Sequence, residues 1–176
     1  MYISGVDYES IADGVGVRAV VYVSGCSHHC VGCHNPDTHA ANFGTEFSPN
    51  LQAQIIENIK SRPFLRGLTL SGGDPLFEGN VAEVLNFVRR VNLAINRPKC
   101  DFDIWLYTGY TWEALCEKRR HNAALNELLQ SIDVLVDGRF ELSQADKSLA
   151  FRGSRNQRLI NVPLSHAKNE VVLFEI

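Results

Sequence analysis

The sequence predicts an α/β protein, a partial and open β/α barrel with parallel strands inside and helices outside. Short β-branched runs alternate with amphipathic helical stretches as far as Gly138, and strand, helix, strand in that order implies right-handed crossovers and a parallel sheet. Four such units are too few to close an eight-stranded barrel, which takes about 250 residues. At 176 residues and 45% hydrophobic, the chain has apolar material for one well-filled core and is short for two domains. Residues 1–176 are therefore read as a single domain, with 140–176 a less regular C-terminal segment.

The elements follow in order. "RAVVYVSG" from Arg18 is a β-branched run ended by Gly25. After a cysteine-rich loop, "LQAQIIENIKS" places Leu51, Ile55, Ile56 and Ile59 on one helical face, with Asn50 after Pro49 as its N-cap. "GLTLSGG" is a second strand stopped by two glycines, and "NVAEVLNFVRRV" repeats helical spacing through Val81, Val84, Leu85 and Val88. "DIWLYTGY" is the third strand, "TWEALCEK" and "AALNELLQSI" are helical, and "DVLVDG" is the fourth strand. Beyond Phe140 no repeat continues, and strands are expected at "QRLINV" and "EVVLFEI".

Composition narrows the function. A net charge of −3 and a pI near 6.1, with no long basic run, exclude a nucleic-acid footprint. Lys118, Arg119 and Arg120 read as a solvated helix end. The N-terminus lacks a basic start and an apolar stretch, and no apolar run approaches the roughly 18 residues that cross a bilayer. A cytoplasmic protein with no membrane association is expected. Five cysteines is an odd count with three crowded together, which suits a metal or catalytic cluster in a reducing compartment better than a disulfide framework. Cys100 and Cys116 stand apart and read as bland thiols.

Ligands of parallel sheets gather at the carboxyl ends of the strands. Here those ends carry "GCSHHCVGCHNPDT", "SGGDP", "TGY" and "DGRF", four distinctive segments meeting on one rim. Cys26, Cys30 and Cys33 can hold three corners of a cubane iron-sulfur cluster, whereas an electron-carrying cluster takes four cysteines. The missing ligand leaves an open coordination position, the mark of a catalytic metal centre. Two alternatives stand beside this one. His28, His29, His34 or His39 would complete a structural zinc site of three cysteines and one histidine. Cys30 and Cys33 alone would make a thioredoxin-like pair, which leaves Cys26 unexplained. In "SGGDP", Gly72 and Gly73 lack side chains and let backbone approach a ligand closely, while Pro75 fixes the exit of the turn. The plainer alternative is a turn and nothing more.

The Cys-x3-Cys-x2-Cys spacing after a first strand resembles the radical S-adenosylmethionine superfamily. That resemblance implies a partial radical-SAM-type barrel and a 4Fe-4S cluster whose open iron is chelated by the amino and carboxylate groups of S-adenosylmethionine. It implies one-electron cleavage of the sulfonium to methionine and a 5′-deoxyadenosyl radical. It also implies cofactor contacts from Gly32, Cys33 and His34, and from Gly72, Gly73 and Asp74, the glycine-rich turn binding the ammonium of the methionine moiety. Within the superfamily, "DGVGVR", "LSGGDPL", "IWLYTGY", "DVLVDGRF" and "FRGSRNQR" appear in the order of glycyl-radical activating enzymes, specifically the activators of anaerobic ribonucleoside-triphosphate reductase. The partners implied are the large subunit of that reductase and a flavodoxin-type electron donor.

The chain departs from that family at Val15, where proline is usual, at His34, where tyrosine is usual, and at His39, where tryptophan is usual. The tail after Asn161 also looks longer. Arg152, Arg155 and Arg158 are candidates for an acidic partner surface or the cofactor carboxylate, against the plain alternative of a solvated loop. Two other functions are weighed: a small-molecule radical enzyme resembling 7-carboxy-7-deazaguanine synthase, and a zinc-stabilised binding module.

Overall fold

A computed structural model describes residues 1–97 and 101–176; Cys100 lies outside the described residues. Among the described residues seven strands form one sheet: β1 (Tyr2–Ser10), β2 (Arg18–Val23), β3 (Thr45–Glu46), β4 (Gly67–Gly72), β5 (Asp103–Tyr107), β6 (Val134–Asp137) and β7 (Arg158–Asn161). Five α-helices among the described residues accompany them: α1 (Pro49–Lys60), α2 (Val81–Ala94), α3 (Trp112–Lys118), α4 (Ala123–Gln130) and α5 (Val162–Lys168). The sheet order is β3-β1-β2-β4-β5-β6-β7, open at both edges. Among the described residues no helix is long and apolar enough to cross a membrane.

The four strands expected from the strand–helix alternation are β2, β4, β5 and β6, and they pair in parallel as neighbours. β1, β3 and β7 pair antiparallel, so parallel pairing is confined to the centre of the sheet. The link from Ser10 to Arg18 is too short for a crossover, so β1 and β2 close as a hairpin. Gly5 and Asp7 break the apolar pattern of β1, and its register with β2 shifts twice.

Side chains alternate between the faces of the sheet, as the two-residue strand period requires. Ala19, Val21, Val23, Leu68, Leu70, Ile104, Leu106 and Leu135 join the helices in the main core. Trp105, Val134, Val136 and Leu159 form a smaller cluster with Val15, Tyr107, Phe151 and Phe174. Within this cluster Phe174 meets the Trp105 ring edge-on at 5.2 Å.

The helices keep the apolar faces the spacing predicts, with Ile55, Ile56 and Ile59 buried on α1 and Val81, Val84, Leu85 and Val88 on α2. Leu51 is half-buried at the rim of the α1 face. The N-cap of α1 is Ser48, whose hydroxyl accepts from the Leu51 amide at 3.3 Å, and Asn50 sits inside the first turn. Proline suits the first helical position, because its φ is preset and its missing N–H would be unpaired there anyway, so the cap precedes Pro49. "QRLINV" supplies β7, but "EVVLFEI" forms no strand. It crosses the edge through one bridge, Ile160 to Leu173, and two hydrogen bonds. Between them lies α5, capped by Asn161 accepting from Leu164 N at 3.1 Å and ended by Asn169 in the left-handed region.

Candidate functional site

The cysteine loop leaves the carboxyl end of β2 and is closed at its base. Gly25 N donates to Thr38 O at 2.8 Å, and Cys26 N to His39 O at 3.3 Å. The glycine turn after β4 presses on that base, with Gly73 N donating to Val23 O at 2.7 Å and Asp74 N to Gly25 O at 2.9 Å. A Cβ on Gly73 would stand 2.7 Å from Gly25 O and 2.8 Å from Thr38 O, and one on Gly72 2.5 Å from Val23 O. Close backbone approach is thus what these glycines permit, and the backbone approaching is that of the cysteine loop and its strand.

Asp74 is 1% exposed, and its carboxylate gathers the rim. Its Oδ2 accepts from Thr108 Oγ1 at 3.0 Å and Gly109 N at 3.1 Å, and lies 2.8 Å from His28 Nε2. Its Oδ1 accepts from Leu76 N at 2.8 Å. Asn80 adds a second tie, donating to Ser24 O at 2.9 Å and Asp74 O at 3.1 Å. Cysteine loop, glycine turn and "TGY" are fastened to one buried carboxylate.

Cys26, Cys30 and Cys33 are free and half-buried. Cys33 N donates to Cys30 O at 3.1 Å, and His29 and Gly32 turn the loop with φ of 48° and 74°. Burial pushes the Cys26 thiol above its ordinary value, opposed by the amides of His28 and His29 and reinforced by Asp74 and Cys30. Among the described residues no three His, Cys, Asp or Glu side chains gather closely enough to hold a single metal ion. The histidines are dispersed: His28 faces Asp74, His29 Nδ1 lies 3.3 Å from His39 Nδ1, and His34 is exposed.

The other family-like segments brace the rim. Asp137, 1% exposed at the end of β6, accepts from Trp112 N at 2.8 Å and Arg158 Nε at 3.0 Å. Arg158 also reaches Glu113 at 2.9 Å, and these carboxylates raise its pKa. Gly138 N donates to Tyr110 O at 3.0 Å, and Gln157 Nε2 to Gly138 O at 3.0 Å. Arg155 pairs with Asp146 at 2.9 Å. "FRGSRNQR" therefore folds back onto "DGRF", and Arg158 is spent inside the protein. At the other end of the strands, "DGVGVR" lines the open face. Its Arg18 is fully buried, 2.6 Å from Asp103 and 5.2 Å from the Trp105 ring centroid. Asp13 faces Tyr22, whose phenol is pushed up to about 12 by burial and that carboxylate.

Residues 12–160 match the family model of a 4Fe-4S single cluster domain. The chain is 42% identical over 149 residues to an anaerobic ribonucleoside-triphosphate reductase-activating protein of Pasteurella multocida, covering 84% of this chain and 89% of that one. The Escherichia coli K12 protein of the same name is 41% identical over 149 residues, covering 84% and 90%. One from Enterobacteria phage T4 is 38% identical over 147 residues, covering 84% and 85%. The chain belongs to the anaerobic ribonucleoside-triphosphate reductase-activating proteins.

In this activating protein the matched span runs from the "DGVGVR" loop to β7 and takes in all four rim segments. The donor set fits an iron-sulfur cluster, because three free, half-buried thiols in one loop are the usual ligands of such a cluster. A groove of about 450 Å³ opens beside the loop, between His28, Cys30 and Val31 on one wall and Arg139, Phe140 and Leu142 on the other. A larger cavity, about 640 Å³ and lined by Arg66, Asp103, Asp133 and Phe174, lies at the opposite end of the strands. Sequence reasoning missed the use of His28, Thr108 and Gly109 as a fastening. The available signal was a histidine within the loop and a glycine in "TGY" with no turn to explain it.

Proposed function

We propose that this chain activates anaerobic ribonucleoside-triphosphate reductase by generating a glycyl radical on its large subunit. The observation that carries this is three free, half-buried thiols in one loop, tied at its base to a glycine turn at the carboxyl rim. Membership of the activating-protein family gives the reaction its target. In this reading the open sheet is the partial barrel of radical S-adenosylmethionine enzymes, and residues 1–176 form one such domain in the cytoplasm.

Cys26, Cys30 and Cys33 would hold the cluster through their thiolates, with Gly72 and Gly73 on the side the cofactor would take. Gly32, Cys33, His34, Gly72 and Gly73 line the cofactor. Asp74 acts from behind the turn, because hydrogen bonds inside the protein occupy both of its oxygens. A cluster and S-adenosylmethionine held there would supply the one-electron chemistry for hydrogen abstraction from a glycine Cα, with a flavodoxin-type donor as the source of the electron. The chain's own work is to bind, orient and exclude water, and no residue need act as an acid or base. An open rim leaves the surroundings of the radical to be completed by the docking protein loop.

The test is anaerobic reconstitution, reduction and incubation with S-adenosylmethionine and the reductase, followed by electron paramagnetic resonance on the separated reductase. The expected result is a carbon-centred radical altered by deuterated glycine, with 5′-deoxyadenosine and methionine formed. Cys26→Ala, Cys30→Ala and Cys33→Ala should each abolish it and lower iron content, while Cys116→Ala should do neither. Stoichiometric 5′-deoxyadenosine formed on a small metabolite, without a glycine signal, would overturn the reading.

A further inference from the structure

We infer that His28 is a positioning residue that sets the register between the three-cysteine loop and the glycine turn. This rests on the functional reading above and adds to it a residue that contacts neither cluster nor cofactor. His28 lies between Cys26 and Cys30, yet its side chain is 5% exposed while Ser27 and His29 on either side are exposed. Its Nε2 stands 2.8 Å from Asp74 Oδ2. An ionised carboxylate only accepts, and this oxygen already takes hydrogen bonds from Thr108 and Gly109, so Nε2–H of the imidazole is the donor. The ring is also fixed from the side, edge-on to Tyr110 with centroids 4.6 Å apart and planes at 75°.

The seat of the ring is made by a missing side chain. A Cβ on Gly109 would fall 2.6 Å from His28 Cγ, and Gly109 is not in the left-handed region, so its glycine is needed for space and not for backbone conformation. The backbone bonds from Gly25 and Cys26 hold the loop at its base. The His28 tether acts within the loop, between two of the three thiols, and ends on the residue that follows Gly72 and Gly73. Displacing the ring should leave three cysteines able to take up iron while shifting the cluster against the cofactor-binding turn.

The experiment uses the full chain, reconstituted anaerobically with iron and sulfide, as wild type, His28→Ala, His28→Gln, Gly109→Ala and the His28→Ala/Gly109→Ala double variant. Iron per chain is measured, and the spectrum of the reduced cluster is titrated with S-adenosylmethionine by electron paramagnetic resonance. His28→Ala should keep wild-type iron but need about 10- to 100-fold more cofactor for half the spectral change, the usual cost of losing an outer-shell partner. His28→Gln, whose amide nitrogen can replace Nε2 as donor, should recover most of that loss. Gly109→Ala should reproduce His28→Ala, and the double variant should be no worse than His28→Ala, because the two changes remove one interaction. An unchanged titration in His28→Ala would overturn the inference. So would iron loss shared by His28→Ala and His28→Gln, or a Gly109→Ala loss that adds in full to that of His28→Ala. A wild-type protein that takes up no iron, or whose spectrum ignores S-adenosylmethionine, would overturn the functional reading instead.

Discussion

At Asp74 one carboxylate faces hydrogen-bond donors from three segments, and its burial is tolerable only because each oxygen is used. The three cysteines and the two glycines were legible in the sequence because their spacing is local. The partnership of His28 was not, because Asp74 is 46 residues away and a histidine among cysteines reads first as a metal ligand. The same contrast changes what Gly73 should do. A glycine that only made room for a ligand would, on substitution, weaken cofactor binding and spare the cluster. Here two carbonyls of the cysteine loop occupy the space. Gly73→Val is therefore expected to lower iron retention as well, and to cost about 1–3 kcal/mol through overpacking. Iron per chain and the denaturant midpoint of the same preparation check both effects.

Among the elements, α1 to α4 were readable and α5 was not. α5 has seven residues and follows β7 without a break, so its first residues read as the end of the "QRLINV" strand. It packs through His166, whose ring is 5.0 Å from that of Trp112 on α3 and whose Nδ1 accepts from Arg119 at 2.6 Å. Burial first, and then the Arg119 charge, lower the pKa of His166 below its ordinary 6.5. The unfolded chain then binds the proton more readily than the folded one, so stability rises with pH across that interval. The contribution is complete above about pH 6.5 and is lost as pH falls through the lowered folded value. Thermal melts from pH 7.5 to 5 should show a steeper decline for wild type than for His166→Gln, which keeps an acceptor without titrating. Parallel declines would remove His166 as the cause.

At the scale of the whole molecule, the parallel centre of the sheet was legible because each of its strands is an apolar run and helical stretches separate one from the next. Of the antiparallel margins, only β7 was, as the strand at "QRLINV"; β1 and β3 were not. β1 carries polar residues and irregular register, and the tail is held by a few long-range contacts that no local pattern announces. The outcome is a sheet whose core is complete without the cysteine loop, since the residues between Gly25 and Thr38 contribute no member to the main apolar cluster. The loop leaves and returns at one point, where the Gly25 amide meets the Thr38 carbonyl. Such a closed excursion can open by local unfolding while the rest of the protein stays folded. Hydrogen exchange on the iron-free protein should show fast amides at 27–37 beside slow ones in β2 and β4, with iron loading slowing the loop and leaving the strands unchanged. Iron delivery would then meet a folded receptor, and oxidative loss of the cluster would leave a chain that can be reloaded without refolding.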